Sequence, residues 1–82
     1  MNQKKEENYD YQIIELFKRI KKVKTDMRIA EVLGVNRSYI YNIKSEKTQL
    51  SEKTVISMAK LAGTPIAEAW AKRCERRILD KM

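Results

Sequence analysis

Arg37, Ser38, Tyr41 and Asn42 bring a guanidinium, two hydroxyls and a carboxamide together within six residues. At 3.6 residues per turn these positions share one side of a helix, while Ile40 and Ile43 fall on the other. A face of this kind exchanges hydrogen bonds with a surface; it does not make or break covalent bonds. The 82-residue chain has no histidine and a single cysteine, Cys74, and it shows neither a phosphate-binding glycine loop nor a nucleophile beside a base. Acid–base, nucleophilic and zinc chemistry each need residues that are missing, so the sequence predicts no enzyme, no metal site and no cofactor.

The charge balance indicates which surface such a face would meet. Lys and Arg number 18 against 11 Asp and Glu, a formal charge of +7 that favours a polyanion, nucleic acid first among them. Charge alone discriminates poorly, so the reading depends on the elements that would carry the face. The length fits one domain. A domain this small buries only about 60% of its unfolded surface, which leaves association with a second copy open.

Residues 1–8 are polar, charged and aperiodic, and are expected to form a flexible arm. From Tyr9, the apolar residues Ile13, Phe17, Ile20 and either Leu16 or Val23 recur at helical steps to about Val23. Thr25 can cap a second, short helix with Ile29, Ala30, Val32 and Leu33, which Gly34 ends. Val35 and Ile40 flank Asn36 as a hydrophobic staple around the cap of a third helix reaching about Ser45. Leu50, Ser51 and Val55 repeat the device for a fourth, with Met58, Ala59 and Ala62 inward and Gly63 at its end. Pro65 opens a fifth helix over 65–82, bearing Ile66, Ala69, Trp70, Cys74 and Ile78 on one side and Lys72, Arg73, Arg76 and Arg77 largely on others. No strand pattern occurs, so the fold class is all-α with five helices in one domain over 9–82.

Within residues 25–45, Ala30 supplies a small side chain for a close helix crossing and Gly34 a residue that accepts positive φ. Ile29, Leu33, Val35, Ile40 and Ile43 supply apolar anchors. The intervals of Ala30, Gly34, Ile40 and Ile43 resemble those of the helix-turn-helix family of phage Cro and repressor proteins, the lambda repressor-like or XRE type. The order of the first four helices fits that family as well.

The resemblance implies a compact lambda repressor-like domain whose third helix lies in the major groove of double-stranded DNA. It gives Arg37, Ser38, Tyr41 and Asn42 to base edges, where Arg can pair with guanine O6 and N7 and Asn with adenine. Tyr39 either joins them, reaching phosphate, or shields the turn. Thr25 and Asn36 at the helix starts, with Lys44, Ser45, Lys47 and Thr48 after the third helix, fall to the backbone, where they set affinity rather than sequence choice. Two positions depart from the family pattern: Asp26 stands where Gln is common, and Glu46 where Gly is common.

The implied function is transcriptional regulation, in the manner of a phage or mobile-element repressor occupying an inverted-repeat operator as a homodimer. Trp70, Cys74 and Ile78 on the fifth helix are the candidate dimer contacts, unless that helix instead serves to close the core with Trp70. The alternative is a protein-interaction module, such as an antitoxin-like partner, that uses the same scaffold. The N-terminal residues carry no apolar stretch of signal-peptide type, no later run approaches the ~20 residues that span a bilayer, and a lone thiol suits a reducing compartment; the expected location is the cytoplasm.

Overall fold

The computed structural model describes residues 8–80. Residues 1–7 of the arm predicted over 1–8, and the last two residues of the helix predicted over 65–82, lie outside them. The described residues form five helices and no strand: α1 Tyr9–Lys21, α2 Asp26–Leu33, α3 Arg37–Lys44, α4 Glu52–Ala62 and α5 Thr64–Asp80.

The boundaries follow the capping chemistry. Thr25 Oγ1 accepts from the Arg28 amide, Asn36 Oδ1 from Ser38 and Ser51 Oγ from Thr54, so α2, α3 and α4 each start on a side-chain acceptor. At the other ends, Lys22 and Gly34 turn left-handed, and the next amides reach five residues back, Val23 to Lys18 O at 2.8 Å and Val35 to Ala30 O at 3.0 Å. Gly34 thus closes α2 and sets the tight turn into α3.

Helix α1 is the hub, packing against α3, α4 and α5, while α2 packs on α3 and α4. The core joins Ile13, Ile14 and Phe17 of α1 to Ile29 and Ala30 of α2, Ile40 and Ile43 of α3, Leu50, Val55 and Met58 around α4, and Ile66 of α5. The buried stripe of α1 is rotated from the predicted one. Ile14 is fully buried and Ile20 is exposed, because Asp10, Ile13, Ile14 and Phe17 repeat at i, i+3, i+4 and i+7 and face the other helices.

Asp10 and Arg73 are the larger departure from the sequence reading, which left Arg73 on the solvent side. Both are buried: Arg73 Nε lies 2.5 Å from Asp10 Oδ1 and Nη2 lies 3.3 Å from Oδ2, which also accepts from the Leu50 amide at 3.0 Å. Position 73 follows Ile66 by two turns and Trp70 by one, so it shares their inward face. The guanidinium stacks on Trp70, 4.4 Å from the ring centre. Burial alone would lower the Arg73 pKa, but the hydrogen bond and charge of Asp10 outweigh it and raise it, so the guanidinium stays charged.

Asn8, assigned to the arm by the sequence, belongs to the fold. Its Oδ1 caps α1 through the Tyr11 amide at 3.1 Å, while its Nδ2 donates to Ile43 O at 2.9 Å and Lys44 O at 3.2 Å. One carboxamide therefore closes the start of α1 and the end of α3. Asn8→Asp is expected to destabilise the domain by about 1–2 kcal/mol even though aspartate is an equally good cap for α1, because it sets a carboxylate against two carbonyls. An unchanged urea midpoint would show that the link to α3 adds nothing.

Candidate nucleic-acid interface

Burial of Ile40 and Ile43 fixes the rotation of α3 and turns its opposite face outward. Arg37, Ser38, Lys44 and Ser45 are exposed, Tyr41 is 60% exposed and Asn42 is half-buried at the edge. The four side chains singled out in the sequence therefore do share one surface. Within it, Ser38 Oγ donates to Asn36 Oδ1 at 2.8 Å, so this hydroxyl serves the helix cap and keeps its capacity to accept. Arg37 Nη1 rests 3.4 Å from Met27 Sδ of α2, which brings the starts of α2 and α3 side by side.

Tyr39 points elsewhere. Its hydroxyl accepts from the Ser51 amide at 2.9 Å and lies within 3.4 Å of Thr54 Oγ1, at the start of α4. Of the two roles open to it, the geometry favours packing across the turn over reaching phosphate.

The segment after α3 is held as closely as the helix. Ser45 N donates to Tyr41 O, and the Lys47 and Thr48 amides both donate to Asn42 O, at 2.8 and 3.3 Å. Lys44, Ser45, Lys47 and Thr48 all remain exposed beside the outward face. The turn requires a left-handed residue, and Glu46 takes that conformation with φ 66°. A side chain with a β-carbon is strained there. Glu46→Gly is expected to raise stability by up to about 1 kcal/mol, read as a higher urea midpoint with unchanged slope. A lower midpoint would show that the Glu46 side chain has a compensating role.

At the start of α2, Thr25 is exposed, and the Asp26 carboxylate is turned back onto α1. It accepts from Tyr11 Oη at 2.9 and 3.1 Å and from Lys18 Nζ at 3.1 Å. Burial, then the hydrogen bond to Asp26, raises the Tyr11 pKa, so the phenol remains a donor. Burial alone would lower the Lys18 ammonium, but Asp26 outweighs it and raises it. An acid where the family favours Gln is thus paired with a cation and a phenol of α1.

The family model for helix-turn-helix proteins matches residues 13–68, from α1 through the first turns of α5. The chain belongs to this family. It is a lambda repressor-like, XRE-type helix-turn-helix protein, and the family is a DNA-binding, regulatory one rather than an enzymatic one. No curated protein and no solved structure matches the chain. Among the described residues no helix is long and apolar enough to cross a membrane.

Sequence reasoning missed Asn8, the Asp10–Arg73 pair and the Tyr11–Lys18–Asp26 cluster. Asn8 was recoverable, since Asn followed by an acid in the first turn is a helix-start signal. Asp10 was too, by its place on the stripe with Ile13, Ile14 and Phe17. Nothing local announces that Tyr11 meets Asp26.

Proposed function

We propose that this protein is a sequence-specific repressor of the Cro type, serving a phage or mobile element, that acts in the cytoplasm by occupying an operator. The supporting observation is the outward face of α3, where Arg37, Ser38, Tyr41 and Asn42 stand together over a buried Ile40–Ile43 back. With α3 in the major groove these are the base readers: Arg37 for guanine, Asn42 for adenine, Ser38 and Tyr41 for neighbouring edges and methyl groups. The amides at the start of α2 beside Thr25, the cap at Asn36, and Lys44, Ser45, Lys47 and Thr48 meet phosphate on either side.

One eight-residue reading helix covers few base pairs, which favours two copies on an inverted repeat with half-sites about 34 Å apart. The distal part of α5 offers the contact. Trp70 is packed against the core and stacked on Arg73, so the dimer surface shifts past it, to Ile78, 63% exposed, and Leu79, 53% exposed, with half-buried Cys74 beside them.

Selection of binding sites from random duplex DNA near physiological salt tests the reading. Recovery of an inverted repeat is the expected result. Enrichment of no sequence would leave the charge nonspecific and move the role of the scaffold to a protein partner.

A further inference from the structure

Asp26 stands at an awkward place for a protein that docks on a polyanion. It is the first residue of α2, whose start carries a partial positive charge suited to phosphate, and a carboxylate there would repel the same group. The fold holds that carboxylate on the α1 side, between the Tyr11 hydroxyl and the Lys18 ammonium, with its side chain about three-quarters covered. The Tyr11 ring also lies under Lys44 Nζ, at 5.7 Å from its centre, and under Lys18 Nζ at 5.9 Å. One aromatic side chain thus touches the acid that opens α2 and the cation that ends α3.

We propose that Tyr11 is a positioning residue for phosphate anchoring: its hydroxyl restrains the Asp26 carboxylate away from the start of α2, and its ring seats Lys44 at the end of the reading helix. This rests on the reading above, in which the start of α2 and Lys44 both meet the DNA backbone. Two of the backbone anchors are then set by a residue of α1 that lies under both. Lys18 contributes the counter-charge, while Tyr11 supplies the direction, since its single donor reaches both carboxylate oxygens.

Tyr11→Phe isolates the hydroxyl, because it keeps the ring under Lys44 and changes no charge. The assay is binding to the duplex recovered in the site selection, for Tyr11→Phe, Asp26→Asn, the two combined and the unsubstituted chain, with thermal melts to fix a temperature at which all four are folded. Tyr11→Phe is expected to weaken binding about three- to tenfold near 0.1 M salt, with the deficit shrinking as salt rises. In the presence of Asp26→Asn, the same change is expected to cost nothing, because the charge it restrains is gone.

Equal losses with and without Asp26→Asn would assign Tyr11 to general support of the fold and overturn the proposal, as would no loss at all. If the unsubstituted chain enriches no duplex, the DNA reading falls first and this inference falls with it. A selected duplex bound equally well by Tyr11→Phe leaves the DNA reading standing and removes the inference alone.

Discussion

Arg37→Ala combined with Asn42→Ala is expected to abolish sequence enrichment from a random duplex pool while the thermal midpoint stays close to that of the unsubstituted chain. Arg37 is exposed and Asn42 is at the edge of α3, with Ile40 and Ile43 carrying the packing, so neither truncation opens the core. Each bidentate pairing with a base discriminates by about 1–3 kcal/mol, so losing both removes about 2–6 kcal/mol per half-site, or about thirtyfold and more in preference. The residual binding is expected to remain strongly salt-dependent, because Lys44, Lys47 and the helix starts are untouched.

Arg37→Lys sharpens the test. Lysine keeps the charge but has no fork, so its sequence preference is expected to fall much further than its nonspecific affinity. If the double variant recovers the same site as the unsubstituted chain, α3 is not the reader and the outward face has another use.

The second large effect concerns stability. Arg73→Ala leaves the Asp10 carboxylate buried without its cation and is expected to cost about 3–5 kcal/mol, measured by urea unfolding. Domains of this kind have about 5–15 kcal/mol in total, so the variant will be partly unfolded in warm or mildly denaturing conditions. Arg73→Lys should recover little, because the guanidinium places two donors on two oxygens of one carboxylate while its plane lies on Trp70. Asp10→Leu combined with Arg73→Met is expected to cost less than Arg73→Ala alone, since no buried charge is stranded. It still forfeits the acceptor of the Leu50 amide and so should not surpass the parent. Independent, additive effects at the two positions would show that the pair does not act as a unit.

The outcome separates what local pattern can specify from what it cannot. The five helices and their starts at Thr25, Asn36 and Ser51 were legible because capping and stapling are decided by residues three or four apart. The outward face of α3 was legible for the same reason, since the apolar spacing of Ile40 and Ile43 already fixes which side turns away.

Asp10–Arg73 and Tyr11–Asp26 were hidden because they join residues 63 and 15 positions apart, and their side chains read, taken singly, as ordinary polar or charged surface groups. Ile20 and Ile14 were exchanged for a related reason. Both are apolar, and only the packing of α3, α4 and α5 around α1 decides which of them the core takes in. Glu46 shows the reverse case: its departure from the family pattern was visible in the sequence, and the structure shows the cost as a strained backbone angle.

The span of the Asp10–Arg73 contact also bears on the order in which the molecule assembles. The helix pair over residues 25–45 is closed by short-range bonds and can form early, whereas the ion pair must draw together segments 63 residues apart. A contact made late on the way to the native state is absent from the barrier. Its removal therefore accelerates unfolding and barely slows folding. In a protein of this size, the docking of α5 on α1 would come last and be lost first, so the lifetime of the native state is decided at that contact and not on the outward face of α3.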